Sequence, residues 1–166
     1  MSGSAKRDRI VQSAAFAPCT RRLSVSLKKS VAMRVYRSLV TNQELVYVHL
    51  ASKKQSYKHG AKSRIVYIGT TKKGQARVAS SMAERAKTIL KLHGVTSFEV
   101  RIITCRRRQN VSSWKQLETA LLIAFRSIYG AIPRYNKQGK NLDHDNKCWK
   151  YFARSKIDRV IKELDQ

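Results

Sequence analysis

Glu118 is the acid best placed to do chemistry among the ten in this chain. It precedes Leu121, Leu122 and Phe125 at the i+3, i+4 and i+7 positions of a helical stripe. A carboxylate beside apolar side chains costs free energy unless hydrogen bonds or a cation compensate it. Two readings follow: a group at the edge of the stripe, in water or paired with a Lys or Arg, or a ligand for a divalent cation. The other acids fall where solvated side chains belong. Asp143 and Asp145 flank a loop, and Asp158, Glu163 and Asp165 sit on the last helix. Two tyrosines add a second element. Tyr47, in ELVYVHLA, shares a strand face with Leu45 and His49, and Tyr67, in SRIVYIGT, shares one with Ile65 and Gly69. Paired as an antiparallel hairpin, these runs turn both phenols to one side. Gly69 would leave room at the strand end for a ligand or another backbone. Strand tyrosines also serve simply to pack.

The elements that must hold these residues can be read from periodicity. Residues 26–40 place Leu27, Val31, Val35 and Leu39 at near-helical spacing. Residues 44–51 and 63–70 are β-rich, and the polar, lysine-rich stretch between them reads as a solvated loop. A turn over 70–75 leads into a helix from about 76 to 92, closed by His93 and Gly94. Residues 97–105 make a third strand and 106–110 a basic loop. Ser112 or Ser113 then caps a helix that ends at Gly130. Pro133 and Gly139 keep 131–141 irregular, and a last helix spans about 146–164. The expected class is α+β, with a small three-stranded mixed or antiparallel central sheet flanked by helices and extra helices at both ends. Residues 1–43 form a partly flexible basic extension, 44–141 the central domain, and 142–166 a helical extension packed on it.

Charge narrows the function. Thirty-five Lys and Arg against ten Asp and Glu give a formal net charge of +25, which asks for a polyanionic partner. Nucleic acid fits better than an anionic membrane, because no amphipathic Trp/Leu-rich anchor accompanies the basic residues. No apolar run reaches the ~20 residues of a membrane span. Cys19, Cys105 and Cys148 form no C-x-x-C pair, so neither a zinc site nor a disulfide framework is expected, and a cytoplasmic location is (nucleoid-associated in a bacterium). The first 43 residues carry nine Lys or Arg and one acid, Asp8. That composition suits a DNA-contacting arm or a packed helix, with an organellar transit peptide as the alternative.

VYV at 46–48, VYIG at 66–69 and TTKKGQAR at 70–77 together resemble the paired strands and following turn of the GIY-YIG endonuclease superfamily. The resemblance covers about residues 44–141. It implies a metal-dependent endonuclease that hydrolyses phosphodiester bonds, with Mg²⁺ (or Mn²⁺) held by Glu118. It further implies that Tyr47 is general base or orients the attacking water, that Tyr67 positions the phosphate or assists the leaving oxygen, and that Arg77 binds the phosphate. Asn136, in PRYNKQGK, would hold the site's loop. The first motif lacks the usual glycine, and Ser81 stands where many members have His or Tyr. Gly69, Arg85 and His49 are therefore candidate supporting residues. Lys53 and Lys54, with Lys58 and Lys62, would track phosphates from the inter-strand loop. Lys72, Lys73, Arg106, Arg107 and Arg108 would do so from other loops, and Arg134 and Lys137 near the scissile bond. DNA, as duplex, is the implied partner. Cutting both strands needs two active sites, hence a homodimer or sequential nicks. The rival class is a basic nucleic-acid-binding module that does not cut.

Overall fold

The computed structural model describes residues 40–137, 142 and 146–166. Every described residue belongs to one compact unit, Leu39–Gln166. The helix expected over 26–40 lies outside the described residues.

Strands β1 (Leu45–Ser56), β2 (Lys62–Thr71) and β3 (Phe98–Ile103) form one antiparallel sheet in the order β2-β1-β3. The hairpin is longer than its hydrophobic pattern indicates. β1 continues through Ser52, Lys53 and Lys54, all exposed, and a turn over Lys58–Gly60 returns the chain into β2. His59 and Gly60 take positive φ there (55° and 74°), and Tyr57 N–H donates to the Ala61 carbonyl at 2.8 Å. Polar residues hide a strand whenever its faces are wet, so the expected loop is a β-ribbon.

Helix α1 (Gly74–Ile89) covers one face of the sheet, over Leu45, Tyr47, Ala51 and Val66. Helix α2 (Ser113–Tyr129) covers the other, over Val46, Val48, Leu50, Ile65 and Ile68. α2 buries Leu117, Leu121 and Phe125 and stops at Gly130, whose φ of 70° needs no Cβ. A bulge sets which β2 residues face which helix. His49 pairs with Tyr67 but Leu50 pairs with Ile65, leaving Val66 as the extra residue. Ile65 therefore joins the α2 side and Tyr67 the α1 side, although strict alternation would put them together.

The single last helix expected over 146–164 is two pieces, a 3-10 turn (Asn146–Lys150) and helix α3 (Arg154–Leu164). A continuous helix would set Cys148 and Ile157, nine residues apart, about 180° from each other. Both are buried in the α2-side core, so the chain must break between them. Leu142, Cys148, Ile157, Ile161 and Leu164 all pack in that core. Asp165 is likewise no solvated charge. It is 7% exposed and accepts hydrogen bonds from Ser63 Oγ (2.9 Å), Arg64 N–H (2.5 Å) and Tyr129 Oη (2.8 Å).

Candidate active site

The hairpin register puts Tyr47 opposite Gly69 and His49 opposite Tyr67, so the three rings share the α1 face. Tyr47 and Tyr67 have centroids 6.0 Å apart, and His49 meets Tyr67 edge-on at 5.3 Å. Tyr47 is sealed at 2% exposure, whereas Tyr67 is half-buried. Burial first, and then the Tyr47 phenol, push the Tyr67 phenol above its ordinary pKa, with Arg85 acting the other way. Tyr67 therefore stays protonated at neutral pH. It suits a hydrogen-bond donor better than a base.

Gly69 has a different task from the one its position suggests. A Cβ there would lie 2.7 Å from both Cε1 and Oη of Tyr67. The space is kept for Tyr67's own phenol, which lies down along β2 toward the strand's end. Thr70, the next residue, occupies the opposite face, and its Oγ1 donates to Glu118 Oε2 at 3.3 Å. The phenol and the carboxylate thus approach the same two residues, Gly69 and Thr70, from the two faces of an edge strand. Burial raises the Glu118 pKa, and the Thr70 hydroxyl and Lys115 only partly offset it. That is an under-compensated carboxylate.

Two arginines of α1 flank the phenols. Arg77, in the first turn, is exposed and bonds Glu84 Oε1 at 2.9 Å through Nη1. Glu84 raises its pKa most, and the two phenols less. Arg85, two turns on, stacks its guanidinium carbon 3.4 Å from the Tyr67 ring centroid. Ser81, on the turn between them, is buried at 1% exposure. His49 is fully buried, stacks on Phe98 at 5.9 Å, and has no hydrogen-bond partner for either ring nitrogen among the described residues. Burial, then Arg85, lower its pKa to about 4. It is neutral packing at physiological pH.

Asn136 holds a loop. Its Oδ1 accepts from Ile68 N–H at 2.9 Å and its Nδ2 donates to the Ile68 carbonyl at 2.6 Å, which caps the outer edge of β2 just before Gly69.

The basic residues divide by position. Lys53 and Lys54 sit six and seven residues along β1 from Tyr47, roughly 20 Å away at ~3.3 Å per residue. The structure does not bring them to the site. Lys53 lies against Gly94, and Lys54 is 3.7 Å from Asp165. Lys58 and Lys62 belong to that same far turn. Lys72 and Lys73 directly follow β2, with Lys72 5.5 Å above the Trp114 ring. Arg107 reaches Glu44 at 3.6 Å, Arg108 lies 5.5 Å from the Tyr151 ring, and Arg106 is exposed. A cleft of about 500 Å³ at this end of the sheet is lined by Lys72, Arg107 and Trp114 among others. Arg134 and Lys137 flank Asn136 and are exposed.

Among the described residues no three His, Cys, Asp or Glu side chains converge as a metal cage. One carboxylate beside a hydroxyl is a thin donor set. It suits Mg²⁺ held mostly by water rather than zinc or calcium. Thr70 and Glu84 went unmarked in the sequence. Glu84's distance from Arg77, two turns along one helix, was the available signal; Thr70 carried none beyond following Gly69. No family model, curated protein or solved structure matches the chain.

Proposed function

We propose that this chain is a metal-dependent DNA endonuclease that hydrolyses phosphodiester bonds in the manner of the GIY-YIG enzymes it resembles. The observation that carries the reading is that the Tyr67 phenol, with Arg85 stacked on it and Arg77 nearby, and the under-compensated Glu118 carboxylate reach adjacent residues, Gly69 and Thr70, from the two faces of β2. Water attacks phosphorus, the P–O bond to the leaving oxygen breaks, and that oxygen takes up a proton. Arg77 exchanges Glu84 for the phosphate, since an exposed ion pair holds by only ~1 kcal/mol or less. Its guanidinium then stabilises the charge that grows in flight. Tyr67, still protonated, donates to a phosphate oxygen or to the departing one. Tyr47 is sealed beneath it and fixes its position. Mg²⁺ (or Mn²⁺) bound at Glu118 would supply Lewis acidity and an ordered water. DNA in the cytoplasm is the substrate, and duplex cutting proceeds through a homodimer or by successive nicks.

Supercoiled plasmid with Mg²⁺ tests this. Wild type should nick or linearise it, while Glu118→Ala should still retard DNA in a gel and not cut. The second reading, a nucleic-acid-binding module that does not cut, is favoured by the sealed Tyr47 and by Arg77 being closed onto Glu84. Binding without cleavage under several divalent metals would establish it in place of the first.

A further inference from the structure

A second cationic cleft lies beside Arg85, the residue that stacks on Tyr67. Its volume is about 330 Å³, and Glu84, Arg85, Thr88, Arg134, Tyr135 and Lys137 line it. Three cations face one carboxylate there, and that carboxylate already serves Arg77 at 2.9 Å. Arg85 Nε is buried with no hydrogen-bond partner among the described residues. The cleft thus holds more positive charge than its one carboxylate balances, which favours an anion there.

The cleft is also held in shape before any ligand arrives. Tyr135 N–H donates to the Val66 carbonyl at 3.0 Å, and Tyr135 Oη donates to the Thr88 carbonyl at 2.8 Å. Asn136 clamps the same loop to Ile68. The segment bearing Arg134 and Lys137 is thereby fixed to both β2 and α1. Such preorganisation lowers the entropy cost of binding.

We propose that this cleft binds a second phosphodiester of the nucleic-acid strand, next to the one at the phenols, with Arg85 as the bridge between the two positions. Arg85 lies over Tyr67 and also lines the cleft. The inference rests on the nuclease reading for which strand occupies the site, but its test needs no cleavage.

The test measures the dissociation constant of a fluorescent DNA duplex in EDTA across about 50–200 mM salt. Wild type is compared with Arg134→Gln/Lys137→Gln and with a charge-matched control on α3, Arg159→Gln/Lys162→Gln. All four side chains are exposed, so the fold should be kept, with melting temperatures as the check. Loss of one phosphate contact should make the salt slope of the first variant shallower by about 0.9 and weaken low-salt binding on the order of tenfold, while the control keeps the wild-type slope. An unchanged slope, or equal changes in both variants, overturns the cleft. Wild type that never cuts plasmid would defeat the nuclease reading and leave this result standing.

Discussion

Acidifying the protein from neutrality to about pH 4.5 should cost it roughly 2.4 kcal/mol through His49 alone. The imidazole is fully buried between Phe98, Tyr47 and Tyr67, with the Arg85 charge close by, and its pKa falls from 6.5 to about 4. An unfolded chain takes up that proton near pH 6.5, and the folded chain refuses it until about 4. The stability is therefore whole above 6.5 and drains away as pH falls toward 4. At about 1.4 kcal/mol per unit the whole gap is worth about 3.4 kcal/mol, of which roughly 2.4 is lost by pH 4.5. Glu118 works in the opposite sense. Its raised pKa favours the folded state at low pH and loses that contribution as pH rises. Comparing wild type with His49→Phe cancels Glu118, since phenylalanine can keep the stack on Phe98 and does not titrate. Urea unfolding followed by circular dichroism at several pH values gives the difference curve. It should change by about 2.4 kcal/mol between pH 7 and 4.5. A flat difference would mean that the native imidazole is solvated or charged, and the packing argument for this face would fail.

Gly69→Ala sets a methyl group 2.7 Å from the Tyr67 phenol. The melting curve should register a loss of about 1–2 kcal/mol from the forced ring movement, and plasmid nicking should fall at least about tenfold with DNA affinity kept. Asn136→Ala strips both partners from Ile68, at 2.9 and 2.6 Å. It should cost about 2 kcal/mol in urea unfolding and weaken the cleft formed by the adjoining loop. Asp165→Ala removes the acceptor for Ser63, Arg64 and Tyr129. A loss of about 3 kcal/mol is expected, and one below about 1 kcal/mol would show that the carboxylate is solvated in solution.

The α+β class, the three strands and α2 were legible because their signals are local. Alternation, β-branched residues and a stripe closed by Gly130 each report on a few neighbouring residues. What lay hidden depended on partners far along the chain. The bulge at Val66 breaks the alternation that would have joined Ile65 to Tyr67, and only pairing with β1 reveals it. The hairpin extension through Lys53 and Lys54 lacks a hydrophobic pattern because its side chains there are exposed. Asp165 looks like a frayed terminal charge until Ser63 and Tyr129 close on it from residues 102 and 36 positions away. At the site, both phenols were placed correctly on one face. The carboxylate arrives from the other face of β2, which no one-dimensional pattern distinguishes from a shared pocket.

The central claim is that the carboxylate and the phenols serve one space at the end of β2. Mn²⁺-induced relaxation of tyrosine ring protons measures this directly, because a paramagnetic ion broadens signals close to its site. Titrating Mn²⁺ into wild type should broaden the Tyr67 and Tyr47 rings ahead of the Tyr129 ring, and Glu118→Gln should abolish the effect. Broadening of Tyr129 first, or of Tyr67 equally in Glu118→Gln, would contradict the account.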